Sequence, residues 1–199
     1  WMYKWEITMR KLTKEEDDYI RENLRYDPET GHLWWSKPSE SKSARRSLDK
    51  PVGYLDKSLG YINLNISLPN RQLIRRAHRV AWFLHYGSWP DELIDHINSI
   101  KTDNRIENLR PATRKENDRN RKAYKGSSSK YKGVSWCKQS QKWASYIKLD
   151  YKARNLGRYT SEEEAARAYD KAARESHGKY ARLNFPEEHE QGALHGHDL

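Results

Sequence analysis

The sequence predicts an α+β protein made of two small parts: a ββα unit (strand, loop, strand, helix), and after it a small three-stranded antiparallel sheet packed on one helix. Three observations predict this. YINLNIS (61–67) alternates strictly between apolar and polar residues, as a half-buried strand does. Two capping boxes, Thr13 with Glu16 and Ser161 with Glu164, mark helix starts in well-separated regions. Between them, KAYKGSSSKYKG (122–133) has the Gly, Ser and Lys content of a flexible connection. With 199 residues, each part can bury a modest core.

After Thr13, the apolar residues Tyr19, Ile20 and Leu24 define one face of a helix over about 14–24. DPETG (27–31) is a turn and HLWW a short strand, while the polar, Ser-rich segment 36–50 reads as a loop. The strand at 61–67 points Ile62, Leu64 and Ile66 to one side, and LPNRQ turns the chain into a second strand near Leu73 and Ile74. HRVAWFLHY (78–86) is a helix stopped by Gly87 and broken by WPDE. Asp95 and His96 then lead into a polar loop, RIENL is read as the second short strand of the ββα unit, and a polar helix runs from about Thr113 into Arg121.

Beyond the connection, residues 131–136, 143–149 and 154–159 read as three strands. A helix from Ser161 to about Ser176 carries Ala165, Ala168, Tyr169, Ala172 and Ala173 as a stripe of mostly small side chains. The expected division is 1–121, a linker at 122–130, a second domain at 131–186, and an acidic, disordered tail at 187–199.

The chain carries 38 Lys and Arg against 28 acidic residues, a formal charge of +10. Residues 123–186 alone hold 14 basic and 6 acidic side chains, so the excess is concentrated in the second part. Such a surface favours a polyanion through counterion release, and double-stranded DNA is the leading partner. No apolar run reaches the roughly 18 residues of a membrane span. WMYKWEITMRKL lacks the apolar core of a secretion signal, so an intracellular, cytoplasmic address is expected. Cys137 is the only cysteine, which excludes a disulfide framework or a cysteine-rich zinc site within one chain. A metal would need His, Asp, Glu, Asn or backbone oxygen.

Chemistry concentrates in DHINSIKTDNRIENLRPATRKEN (95–117). Phosphodiester hydrolysis needs a base for water, a divalent cation for the developing charge, and basic groups to hold the strand. Asp95 and Asn117 are hard oxygen ligands suited to Mg²⁺ or Mn²⁺. His96, with an ordinary pKa near about 6.5, suits proton transfer at neutral pH. Asn108 follows His96 by twelve residues and Asn117 follows Asn108 by nine. Asn104 is a second candidate for orienting the loop or donating a ligand, ranked below Asn108 because turn residues are often Asn. His78 and His85 fall in an apolar helix pattern, where packing is the expected role.

Asp95–His96, Asn108 and Asn117, with RAHRVAWFLHYG before them and NRIENLRPATRKEN among them, resemble the HNH (ββα-metal) nuclease motif in its His-Asn-Asn form, as in phage homing endonucleases. The resemblance covers about 70–121, and the hairpin and DPETG resemble a leader that accompanies it. It implies His96 and Asn108 as catalytic residues, the first as general base and the second steadying the loop. Asp95 and Asn117 are implied as ligands of a single Mg²⁺ or Mn²⁺, and the products as 5′-phosphate and 3′-hydroxyl. Because the last motif position is Asn rather than His, a labile hard cation is favoured over tightly held Zn²⁺.

YKGVSW, KWASYIKL, LGRYTSEEEAARAYDKAA and HGKYARLNFP resemble the plant ethylene-response-factor (APETALA-type) DNA-binding domain over about 129–186. In that family a sheet enters the major groove, which implies Lys132, Trp136, Lys138, Lys142, Lys148, Arg154 and Arg158 as DNA contacts, with Trp143 beside them. Ser135, Tyr146 and Asn155 depart from the family pattern, so its sequence preference does not carry over.

The expectation is a monomeric, site-selective endonuclease of the HNH homing type, with Arg105, Arg110, Arg114 and Arg119 flanking the cleft. The competing expectations are a DNA-binding regulator that keeps the scaffold without turnover, and a protein acting on RNA.

Overall fold

The computed structural model describes residues 12–39, 46–68, 71–124 and 126–186. The N-terminal WMYKWEITMRK, the middle of the Ser-rich loop, the tip of the hairpin and the acidic tail expected to be disordered lie outside them. The chain divides into two compact units, 1–114 and 115–199.

In the first unit, α1 (Lys14–Asn23) starts at the capping box expected from sequence. The Thr13 hydroxyl accepts from the Glu16 amide at 3.3 Å, and the Thr13 amide donates to Glu16 Oε2 at 3.0 Å. Glu16 also receives two bonds from Arg71, at 2.7 and 2.9 Å, which tie the helix start to a distant strand. Leu24 closes the helix in extended conformation and opens β1 (Leu24–Tyr26), which pairs antiparallel with β2 (Leu33–Trp35).

β3 (Tyr54–Asp56), β4 (Tyr61–Leu68) and β5 (Arg71–Arg76) form an antiparallel sheet in that order. The alternation seen in sequence is real: Leu64, Ile66 and Leu68 are buried while Asn65 and Ser67 are exposed. α2 (Ala77–Tyr86) follows β5 directly and ends at Gly87, whose φ of +78° is the left-handed cap that glycine adopts without a Cβ penalty. Ile20, Leu24, Leu33, Leu64, Ile66, Leu73, Val80 and Phe83 make the core. Trp89 stacks on Phe83 at 4.4 Å, and its indole N–H donates to Asp17.

β6 (Leu93–His96) pairs antiparallel with β7 (Leu109–Ala112), and α3 (Arg114–Arg119) follows in the chain, completing the strand, strand, helix order expected of the ββα unit. RIENL differs from the sequence expectation: Ile106–Asn108 is a 3-10 turn, and the strand begins only at Leu109. The turn delays the strand because the Asn108 amide is used by the Arg105 carbonyl at 3.0 Å instead of by a ladder.

In the second unit, β8 (Val134–Cys137), β9 (Lys142–Leu149) and β10 (Lys152–Tyr159) form an antiparallel sheet with β9 central, and α4 (Glu162–His177) packs on one face. Ser161 caps α4 through bonds from Glu163 N and Glu164 N. The buried stripe is Ala165, Ala166, Tyr169, Asp170, Ala173 and His177, so Ala168 and Ala172 sit at its edges. A Cβ on Gly133 (φ +76°) would lie 2.0 Å from the Tyr169 ring, so glycine is what lets the helix close on the sheet.

The segment expected to be a plain linker is partly built into this unit. Ser129 is buried, donates to Glu162 at 2.7 Å and accepts from the Tyr131 amide, and Ser128 accepts from the Trp136 amide.

Asp170, 1% exposed, anchors the final segment by accepting from the amides of Asn184 and Phe185 at 2.8 Å each, while Asn184 bridges to both backbone groups of Lys132. Burial pushes the Asp170 carboxyl up and these donors pull it back. Asp170→Ala leaves those amides without their acceptor. We expect it to destabilise the second unit by about 3 kcal/mol, at the scale of losing charged hydrogen bonds in a buried site. Urea unfolding checks this, and a loss under about 1 kcal/mol would rule out the anchoring role.

Candidate active site

Asp95 and His96 are the last two residues of β6, and the register of the β6–β7 pair sets their neighbours: Asp95 lies opposite Arg110 and His96 opposite Leu109. Directly opposed residues on an antiparallel pair share a face. Arg110 Nε and Nη2 accordingly both donate to Asp95 Oδ2, at 2.9 and 2.7 Å. The side chains are 13% and 5% exposed, so this is a nearly dry ion pair in which each charge depends on the other.

Asn108 spans the loop between the strands. Its Oδ1 accepts from the Asn98 amide at 2.9 Å, its Nδ2 donates to the Asp103 carbonyl at 2.7 Å, and its own carbonyl accepts from Ile97 at 2.9 Å. Both ends of the loop are thereby pinned to one side chain. Inside it, Asp103 receives Asn98 Nδ2 and a two-pronged contact from Arg105 at 2.9 and 2.8 Å, which holds its carboxyl down at about 2. Arg105 reaches Glu107 as well. Lys101 donates to the Leu59 carbonyl and lies over the Tyr61 ring, docking the loop on the three-stranded sheet.

His96 is buried, and its Nε2 is 3.1 Å from Asn104 Oδ1. An amide oxygen only accepts, so Nε2 carries the proton and Nδ1 is the basic nitrogen. The His78 ring meets His96 edge to face at 5.0 Å, and Tyr61 lies 5.9 Å away. Burial pulls the His96 imidazolium down, against the opposing pull of the Asn104 bond and the carboxylates of Asp95 and Asp103. His78 is held well below the usual range by burial, with His96, Arg76 and Arg79 adding to the effect. His96 is therefore neutral at pH 7 and able to accept a proton.

The structure thus brings Asp95, His96, Asn104 and Asn108 together, with Arg105 and Arg110 already committed to carboxylates. Asn117 lies on α3 beyond the division between the units, as does Arg119, while Arg114 is exposed at the end of the first unit. Asn104 was ranked second from sequence, and its contact with His96 spans a loop whose path no local pattern gives. Among the described residues no group of three or more His, Cys, Asp or Glu is placed to hold a metal. Of the two ligands expected from sequence, Asp95 carries a carboxylate and Asn117 an amide oxygen, each a hard donor by its chemistry.

In the second unit, Lys142, Lys148 and Arg158 alternate with the buried residues Ser145 and Ile147, or lie opposite residues that do, and so share the sheet face away from α4. Tyr146, one of the departures from the family pattern and not among the expected DNA contacts, sits amid them and is 41% exposed. Lys138 is exposed in the β8–β9 turn. Trp136 lies opposite Trp143, their rings meeting at 5.0 Å, and Arg154 lies opposite Ile147, so both register onto the other face. Lys132 is turned inward: its ammonium donates to the Arg119 carbonyl, and burial, with Arg182 and Arg121 nearby, lowers its pKa to about 8.

This arrangement, a buried imidazole at a strand end beside a paired carboxylate and an asparagine-braced loop, lies within an HNH endonuclease domain carried by the chain. The HNH endonuclease family model matches residues 75–119. The chain is 34% identical over 109 residues to Protein 3.8 of Escherichia phage T7, covering 54% of this chain and 89% of that protein. A solved structure, described as DNA binding and cleavage by the HNH homing endonuclease I-HmuI, aligns at 22% identity and a TM-score of 0.36, covering 49% of this chain and about half, 51%, of that one. No helix among the described residues is long and apolar enough to cross a membrane.

Because His96 and His78 are buried neutral and must become charged when the chain unfolds in acid, the unfolded state binds more protons below the ordinary histidine pKa. Stability should therefore fall as pH drops below about 6.5. NMR titration of the metal-free protein should place the His96 midpoint below about 6.5, with His78 still neutral where His96 titrates. A His96 midpoint above that value would mean that the carboxylates outweigh burial.

Proposed function

We propose that this protein is a metal-dependent, site-selective DNA endonuclease of the homing type, in which His96 is the general base and the second unit positions the duplex. The observation that carries the reading is the state of His96: buried, neutral, and tied through Nε2 to Asn104 so that Nδ1 takes the proton. In the proposed reaction, a water oxygen bonds to phosphorus as its proton passes to His96 Nδ1. The bond to the 3′ oxygen breaks, leaving a 5′-phosphate and, after protonation, a 3′-hydroxyl.

Asp95 and Asn117 would hold one Mg²⁺ or Mn²⁺, which when bound supplies charge neutralisation at the phosphate and the leaving oxygen. Asn108 keeps the loop from moving His96 off line. Arg110 keeps the Asp95 carboxylate oriented and adds positive potential, and Arg114 and Arg119 extend that potential toward the strand. Lys142, Lys148 and Arg158, with Tyr146 among them, form the face we assign to the DNA groove, with Lys138 at its edge. The protein is proposed to act as a monomer.

A second reading has its own support. Arg110 holds Asp95 in the way a structural pair would, which suits a DNA-binding regulator that retains the scaffold without turnover. Incubation with supercoiled plasmid separates the two. The nuclease nicks or linearises it in Mg²⁺ or Mn²⁺ and not in chelator, and His96→Ala lowers the rate by about 100-fold or more while DNA affinity stays within twofold. Salt-sensitive binding without scission under any of these conditions would establish the regulator instead. Lys148→Ala or Arg158→Ala should weaken binding across sequences and reduce the salt-dependence slope by about 1 each. An unchanged slope would remove that face from the interface.

A further inference from the structure

The turn at residues 27–31 and Tyr26 before it lie more than seventy residues upstream of the middle of the motif's loop, yet they touch that loop at three consecutive residues. The turn is closed on itself: Asp27 accepts from the Glu29 amide at 3.0 Å and from the Thr30 hydroxyl at 2.7 Å, and the Gly31 amide returns to the Asp27 carbonyl at 2.9 Å. From this base the Pro28 carbonyl accepts the Ile106 amide at 3.1 Å. The Tyr26 hydroxyl donates to the Asn104 carbonyl at 2.7 Å. Gly31, buried at φ +74°, approaches so closely that a Cβ there would lie 2.5 Å from Arg105 N and 2.6 Å from the Asn104 carbonyl carbon. Asn104 is itself 4% exposed, and its side chain ends on His96 Nε2.

Each contact alone could be packing. Together they fix the backbone of the residue that decides which imidazole nitrogen is basic and where it points. The Tyr26 bond sets the height of the Asn104 peptide, the Gly31 contact sets how near the loop comes, and the Pro28 bond stops it sliding. Asn108 pins the two ends of the loop, and its side-chain hydrogen bonds go to Asn98 and Asp103, so the Asn104 peptide takes its support from the turn.

We propose that Tyr26, Gly31 and Asn104 are positioning residues for the general base: the 27–31 turn is the mould against which the middle of the catalytic loop is cast. The inference rests on the proposed role of His96 and goes beyond it by assigning function to a turn outside the motif. It accounts for why a turn so far upstream has a glycine that open space would not require.

Two measurements test it. In plasmid cleavage, Tyr26→Phe should lower kcat about 10-fold, the effect of one hydrogen bond felt in the transition state. Gly31→Ala should lower it about 100-fold through displacement of the loop. Both should leave KM and DNA affinity within twofold and the folded fraction above nine tenths at the assay temperature. Independently of activity, ¹⁵N NMR of the neutral His96 ring should show the Nε2–H tautomer in the unaltered protein and a mixture of tautomers in Asn104→Ala and Gly31→Ala. Asn104→Gln should partly restore the single tautomer.

Unchanged kcat in Tyr26→Phe together with Gly31→Ala overturns the proposal, as does a loss that tracks only the unfolded fraction. So does an Nδ1–H tautomer in the unaltered protein, or an undisturbed one in Asn104→Ala. If the unaltered protein does not cleave DNA, the nuclease reading fails while the tautomer measurement still decides whether the turn positions His96.

Discussion

The rest of the site depends on the ion pair between Asp95 and Arg110. A carboxylate 5% exposed cannot remain charged without a cation, and the β6–β7 register supplies one from the facing strand at 2.7 Å. That pairing holds the Asp95 carboxylate in place at the end of β6, which in turn fixes His96 one residue later at the mouth of the loop. In the proposed enzyme the divalent cation shares this carboxylate with Arg110.

Around this pair the loop is held at three levels. Asn108 joins its ends, Asp103 with Asn98 and Arg105 stiffens its centre, and Lys101 with Tyr26 and Gly31 docks it against the sheet and the upstream turn. Only the last set reaches outside the ββα unit. The upstream helix and strands are therefore more than a carrier: they form the surface that shapes the loop, and the shared core of Ile20, Leu24, Leu64 and Phe83 keeps that surface rigid.

What could be read from sequence was what local spacing encodes. The Thr13–Glu16 box, the alternation of 61–67 and the Gly87 stop involve partners within four residues, so the pattern and the structure coincide. Asp95, His96 and Asn108 were visible because their residue types are out of place in a helix stripe or a strand alternation. The Asn104 contact with His96, the Tyr26 contact across 78 positions and the Gly31 approach were not legible, since each depends on where a loop folds in space. RIENL departs from the expected strand because Ile106 and Leu109 are three apart, a spacing that suits a 3-10 turn and not the two-residue period of a strand. In the second unit the three strands were legible, and so was the helix with Ala165, Tyr169 and Ala173 on its buried side, while Ala166, Asp170 and His177 were not. Lys132 was not, because a lysine beside a flexible-looking segment gives no sign that its ammonium turns inward to a carbonyl.

The proposed nuclease stands on Asp95, held by Arg110, also serving with Asn117 as a ligand of one divalent cation. Manganese titration followed by electron paramagnetic resonance, on protein bound to uncleaved duplex, tests it most directly. The account predicts one bound Mn²⁺ per chain, weakened at least tenfold in both Asp95→Ala and Asn117→Ala. Uptake of Mn²⁺ that is indifferent to either substitution, or no uptake at all, would contradict it.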